Sequence, residues 1–355
     1  MSQRMTVALD AMGGDGAPAT VVRGASMARE RFPFVDFLIF GAESQVRPLI
    51  DKMPRLSEGC TLHHTDDIVR NEDKPSVALR AGRNSSMRLA IDAVGDGRAA
   101  GVVSAGNTGA LMAMSKLVLR MVPGIDRPAI ASFFPTERGE SVMLDLGANI
   151  ECDARNLVQF AIMGDVFARA VLAIQKPTVG ILNVGSEDLK GHDEVKKAAQ
   201  LLREGAVPIH FYGFVEGDDI PAGTVDVVVT DGFTGNIALK TAEGTARLYT
   251  NFVREAFKSS VLARLGYLLS RPALRKLRKR ADPRRYNGAV FLGLNGIAVK
   301  SHGGTDALGF ANAIGVAVDM ATHGFLHRVK DELEQISTAG PLAGEGGRQP
   351  AAASG

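Results

Sequence analysis

Short apolar runs rich in β-branched residues recur along the chain, at 5–9, 36–40, 101–104, 129–134, 142–144, 179–182, 207–212, 225–229, 290–292 and 296–299. Most are nearly all apolar, with no polar face. That is the pattern of strands covered on both sides, as in a parallel sheet. Between them lie helix-like stretches, at 75–93, 110–121, 156–174, 194–204, 236–258 and 308–333. Alternating strands and helices predict an α/β sandwich with a mostly parallel sheet. Segment 129–144 reads as a hairpin, so the sheet is expected to be mixed.

Segment 252–286 departs from this pattern. Val261, Leu262, Leu265, Leu268 and Leu269 fall on one helical stripe. Arg264 and Arg271 lie close by, and Pro272 is expected to break the run. Leu274 and Leu277 follow among Arg275, Lys276, Arg278, Lys279 and Arg280. A basic amphipathic helical hairpin is predicted, inserted in a single catalytic domain spanning 1–335. Residues 252–285 carry a net +9 of a chain total of +2, leaving −7 for the remainder. Three uses remain open: an anionic lipid surface, an acidic partner protein, and packing against the core or a second copy. Contact with lipid would gain on the order of 1 kcal/mol per basic residue. Nucleic-acid binding is not expected, because only Phe257, Tyr267 and Tyr286 interleave with the charges. Segment 336–355 is Gly, Ala, Pro and polar residues without periodicity and is expected to be disordered.

Composition narrows the class. Of 355 residues, 45% are hydrophobic and 23% charged, as in soluble globular proteins. The two cysteines, Cys60 and Cys152, form no CxxC pair, which points to a reducing compartment. No apolar leader and no run long enough for a transmembrane helix is visible, so a cytoplasmic protein is expected. Cys60 reads as a small buried hydrophobe. Cys152 has no helix start or adjacent cation to activate it.

The forty glycines cluster at strand ends, where turns let a ligand approach the main chain. Five loops stand out: Asp10-Ala-Met-Gly-Gly-Asp-Gly16, Ser104-Ala-Gly-Asn-Thr-Gly109, Asp145-Leu-Gly-Ala-Asn149, Asn183-Val-Gly-Ser-Glu-Asp-Leu-Lys-Gly191 and Thr230-Asp-Gly-Phe-Thr-Gly-Asn236. All are expected at one edge of the sheet, in register, with helix N-termini that favour an anion. The second and fifth echo one another. GxxxxGK[ST], GxGxxG after the first strand, HExxH and GxSxG are all absent. The seven histidines show no metal-ligand spacing, and no metal or other cofactor is expected. The anion is therefore expected to be a small ligand, with phosphate the first choice.

These five loops, in this order and together with Lys300-Ser-His-Gly303, resemble the phosphate acyltransferase of bacterial phospholipid synthesis. The resemblance runs from about Thr6 to about His327. It implies a three-layer α/β/α, Rossmann-like sandwich similar to phosphotransacetylases and the isopropylmalate dehydrogenase group. It implies that inorganic phosphate attacks a fatty acyl thioester on acyl carrier protein, giving acyl phosphate. It also implies a homodimer lying peripherally on the inner face of the cell membrane. Leu262, Leu265, Leu268, Leu269, Arg271, Arg275 and Lys276 would then meet membrane or carrier protein.

By that resemblance and by the chemistry, Lys190 and Asn236 are the expected catalytic residues. Lys190 would neutralise phosphate or the oxyanion, with Glu187 and Asp188 holding its stem. Asn236 stands at an expected helix start, where it could both cap and donate. Asp10, Gly13, Gly14 and Asp15 would line the site from the first loop, and Gly106, Asn107, Thr108 and Gly109 from the second. Asp145 and Asn149 follow from the third, Gly185 and Glu187 from the fourth, and Asp231, Thr234 and Gly235 from the fifth. His302 is expected either to line the site or to hold its own turn. Phosphate is already an oxyanion nucleophile, so no protein nucleophile is required. Two other readings stay open: a short-chain phosphotransacylase using acyl-CoA, and a non-catalytic membrane scaffold.

Overall fold

A computed structural model describes residues 4–204, 209–280 and 282–339, with the side chains of 276–280, 283 and 335–339 outside that description. The apolar runs form β1 (Met5–Asp10), β2 (Val35–Gly41), β3 (Cys60–His64), β4 (Gly101–Ser104), β5 (Ala129–Pro135) and β6 (Glu140–Leu144). They continue as β7 (Thr178–Leu182), β8 (His210–Val215), β9 (Val227–Val229), β10 (Ala289–Leu292) and β11 (Ile297–Lys300). The helices are α1 (Ala19–Arg31), α2 (Glu43–Ile50), α3 (Pro54–Ser57), α4 (Pro75–Ala81), α5 (Ser86–Gly95), α6 (Thr108–Leu119) and α7 (Ala154–Val171). After them come α8 (Asp193–Arg203), α9 (Asp219–Ala222), α10 (Gly232–Lys258), α11 (Val261–Arg280), α12 (Ala307–Thr322) and α13 (Phe325–Ala339).

All the strands join one sheet, in the order β3-β2-β1-β4-β11-β10-β5-β6-β9-β7-β8. Alternate residues feed separate cores on its two faces, as a strand's period of two requires. Val7 and Leu9 of β1 pack in one core with Phe160, Phe167 and Phe310. Ala8 packs in the other with Met87, Ile91, Leu111 and Met114. The expected α/β class and mostly parallel sheet are therefore present.

Most pairs are parallel, but β10 runs antiparallel to both β11 and β5, and β6 runs antiparallel to β5. Direction follows from these reversals. Strands β1, β2, β3, β4, β11 and β5 point one way, and β10, β6, β9, β7 and β8 point the other.

Several boundaries differ from the expectation. Segment 75–93 is two helices, because the chain turns after Ala81 and Ser85 caps α5 by accepting from Arg88 N. Segment 308–333 is also two, parted at Gly324, whose φ of +64° suits glycine. The expected strand at 207–212 lies at His210–Val215, and the start of that expected run falls outside the described residues. Pro272 does not break the basic segment. It lies within α11, and the hairpin is formed by α10 and α11 with its turn before Val261. Helix α13 continues past 336 to Ala339, and the rest of the expected disordered tail lies outside the described residues.

Candidate active site

The strand directions split the five glycine loops. The carboxyl ends of β1, β4 and β11 share one edge, which carries loops 10–16, 104–109 and 301–304. Those of β6, β9 and β7 share the opposite edge, which carries loops 145–149, 230–236 and 183–191. The expectation of five loops in register on one edge is thus corrected. Three successive antiparallel pairings, β11–β10, β10–β5 and β5–β6, reverse the strand direction between the sets.

At the first edge Asp10 ends β1 fully buried. Its carboxylate accepts from Ser86 Oγ at 2.7 Å, Ser104 Oγ at 2.6 Å and Met12 N at 3.2 Å. Burial pushes its carboxyl up against the lowering effect of those bonds. Asp10 thus ties β1, β4 and α5 together instead of facing solvent. Gly13 must be glycine here, because a Cβ would lie 2.6 Å from Gly106 N. Asp15 N donates to Gly303 O at 2.9 Å, and Gly14, at φ +97°, lies under the same carbonyl. Asn107 caps α6 by accepting from Ala110 N, and its amide donates to the carbonyls of Asn71 and Asp73 at 2.8 and 2.9 Å. Thr108 and Gly109 form the first turn of α6, Thr108 being exposed. His302 Nδ1 accepts from Gly304 N at 3.1 Å, holding its own turn, while the ring stays exposed.

Three residues at this edge escaped the sequence reading. Ser86 lies at a helix start far from any glycine loop. Asn287 accepts from His302 N and donates to Ser301 Oγ and Gly309 O. Lys300 places Nζ 3.2 Å from Ala105 O and against Ser301 O. Burial pulls its amine down to about 8. Only the position of Lys300 in a recognised run could have drawn attention to it.

The opposite edge repeats the device with different residues. Asp145 ends β6 fully buried, and its carboxylate accepts from Ile130 N, Gly147 N, Ala148 N, Asn149 N and Asn149 Nδ2 at 2.7–3.2 Å. Burial pushes its carboxyl up despite those donors. The second amide bond of Asn149 goes to Pro128 O at 2.7 Å. Gly232 N donates to Asn149 O at 2.7 Å, and a Cβ on Gly232 would lie 2.8 Å from Asp145 Oδ2. Asp145 and Asn149 hold the loop in shape.

What faces outward at this edge is different. Asp231, not Asn236, caps α10, accepting from Thr234 N and Thr234 Oγ1 at 2.8 Å each. Asn236 sits further along that helix, exposed, with its amide packed beside Gly147 and beyond the buried Gly235. Lys190 is 52% exposed and pairs with Glu187 at 2.8 Å, which raises its amine and lowers the carboxyl. Gly185 lies beneath that pair. Asp188 pairs with Arg203 instead, at 2.7 Å. The loops at this edge also carry exposed apolar residues: Val184 and Leu189 on the Lys190 loop, Phe233 and Ile237 in the first turns of α10, and Ile150 after the third loop. Cys152 is nearby, but burial, then the charges of Asp145 and Asp231, push its thiol up to about 12. A thiol so placed carries little thiolate, the form that attacks.

Helices α10 and α11 extend from this edge. Leu262, Leu265, Leu268 and Leu269 are 53–80% exposed, and Arg271 and Arg275 are exposed too. Among the described residues no helix is long and apolar enough to cross a membrane, and no cluster could hold a metal.

The chain is 67% identical to a phosphate acyltransferase of Rhodospirillum centenum, over 96% of each chain. It is 63% identical to that of Paramagnetospirillum magneticum, over 96% of this chain and 97% of the other. The family model described as fatty acid synthesis protein matches residues 5–328. The chain belongs to that family. The resemblance drawn from the glycine loops is borne out. Among solved structures, a phosphotransacetylase from Streptococcus pyogenes superposes with TM-score 0.63 at 18% identity, over 91% of this chain and 95% of that one. Another, from Staphylococcus aureus, gives 0.59 at 17%, over 90% and 94%. At such identities the likeness concerns the fold, and it agrees with the family's sandwich.

Proposed function

We propose that the chain transfers a fatty acyl group from acyl carrier protein to inorganic phosphate, giving acyl phosphate for phospholipid synthesis. As a member of a family of phosphate acyltransferases it is an enzyme, so a scaffold-only role gives way. The observation that carries the finer reading is that Lys190 and Asn236 both stand exposed on loops of one sheet edge that also carry exposed apolar residues. A donor pair suits the polar end of an acyl thioester, and Leu189, Ile150 and Phe233 suit its chain.

The chemistry needs little else. A phosphate oxygen forms a bond to the thioester carbon. Lys190 and Asn236 donate to the oxygen that becomes negative in the tetrahedral intermediate. The C–S bond then breaks, and the carrier thiolate leaves and takes a proton from water. No acyl-enzyme forms, which agrees with the raised Cys152 thiol.

We read the protein as a homodimer working at the inner membrane face. The opposed edges support a dimer: loops 10–16 and 104–109 meet Lys190 and Asn236 only if a second copy supplies one set. The exposed leucines and flanking arginines of α11 support lipid contact, with carrier docking as the competing use. Long-chain acyl carrier protein and acetyl-CoA, offered as alternative donors with phosphate, test the donor. Turnover is expected only with the first. Preference for acetyl-CoA favours the short-chain reading.

A further inference from the structure

Lys300 has an unusual setting. Its ammonium has three N–H donors. Among the described residues its acceptors are the carbonyls of Ala105 and Ser301. Among the described residues no carboxylate lies at ion-pair distance, although Asp10 and Asp15 are close enough to favour its charged form. Charges withdrawn from water are normally paired. Asp10 is a poor partner, because its oxygens are occupied by Ser86, Ser104 and Met12 and burial pushes it towards the neutral acid. Asp15 is turned to Asn71, whose amide donates to it at 3.4 Å.

Both partners of this amine are backbone carbonyls, and the loops that carry them meet through backbone contacts. Loop 10–16 is bonded to loop 301–304 through Asp15 N and Gly303 O, and it packs on loop 104–109 through Gly13 and Gly106. Glycine lets a ligand come close to the main chain. The first turn of α6 opens here, with N–H groups that favour negative charge. A cation short of a counter-ion, glycine loops and a helix start lie together at this edge.

We propose that these three loops take a phosphate group, and that Lys300 is the residue that neutralises it. The inference deepens the acyl-transfer reading and rests on it for the identity of the anion. Two sources share this chemistry: free inorganic phosphate, and the phosphate on the pantetheine arm of the carrier. In the homodimer, Lys190 and Asn236 of the second copy would act on the thioester beside it.

Calorimetric titration of the full chain with inorganic phosphate, and separately with pantetheine 4′-phosphate, tests the site. Lys300→Met should weaken binding of at least one probe tenfold or more, whereas Lys300→Arg and Lys190→Ala should stay within about threefold of wild type. The probe affected identifies the source. Should Lys300→Met fail to fold, amine-specific labelling of the wild-type chain read by mass spectrometry replaces it. Phosphate should then protect Lys300 and leave Lys190 reactive. Unchanged binding in Lys300→Met, loss of binding in Lys190→Ala, or protection at Lys190 alone would overturn the proposal. Absence of binding by the wild type overturns it too, while phosphate-dependent loss of acyl thioester would still uphold the broader reading.

Discussion

Ser104 donates its hydroxyl to the carboxylate of Asp10 at 2.6 Å, fixing the β4–α6 loop to the end of β1. Both groups are buried, so removing the donor leaves an acceptor short of a partner. Ser104→Ala should lower the unfolding free energy by about 1–3 kcal/mol. Urea denaturation measures this, and an unchanged midpoint would show that Ser86 and Met12 suffice.

The corresponding contact at the other edge is tighter. Gly232→Ala would bring Cβ to 2.6 Å from Asn149 O. The loop must move, so stability should fall by about 1–3 kcal/mol and turnover should fall with it. Thermal unfolding and initial rates check both. Wild-type behaviour would mean that the loop yields freely.

Lys190 and Asn236 make the opposite case. Both are exposed, and only Lys190 has an ion-pair partner, the exposed Glu187. Lys190→Ala and Asn236→Ala should unfold at the wild-type midpoint yet lose turnover by about 10²–10³-fold, as loss of an oxyanion donor does. Turnover near wild type in either would remove that residue from the mechanism.

A shared site predicts complementation. Chains carrying Lys190→Ala and chains carrying Lys300→Met should each be inactive as homodimers. Co-expressed, they should recover activity, because one interface then keeps both wild-type residues. No recovery in a purified heterodimer would confine the site to one edge.

Stability should fall as pH rises from about 4 to about 6 because of Asp165. Burial raises its carboxyl to about 6, with Arg169 lowering and Glu332 raising it. The folded chain therefore holds a proton that the unfolded chain has lost, so raising pH favours unfolding across that window. Asp165→Asn should flatten this part of the denaturation-versus-pH profile. An unchanged slope would assign it to other carboxyls.

Leu265→Glu with Leu268→Glu places charges on the exposed apolar stripe of α11. Co-sedimentation with vesicles rich in anionic lipid should drop sharply, while folding is kept. Unchanged sedimentation would reject the amphipathic anchor.

Much of this was legible in the chain. Apolar runs such as 101–104 marked buried strands because nothing polar interrupts them. Capping was less so. Asn236 looked like a helix start, but Asp231, five residues earlier, has the side chain that reaches back to Thr234 N. The edge on which a loop emerges was not legible at all. It depends on three antiparallel pairings, β11–β10, β10–β5 and β5–β6, reversing the strand direction, and no local spacing records how many reversals separate two loops. Lys300 was obscured for a related reason: its setting arises from three loops distant in sequence. Asp10 and Asp145 were read as ligand contacts, but buried strand-end carboxylates can equally gather the backbone around them.

Phosphate-dependent release of free thiol from long-chain acyl carrier protein tests the central claim most directly, with ³¹P NMR following the product. The account predicts one thiol and one acyl phosphate per turnover, and no acyl group on the protein. Thiol release that is independent of phosphate, or acyl chains trapped on Cys152, would contradict it.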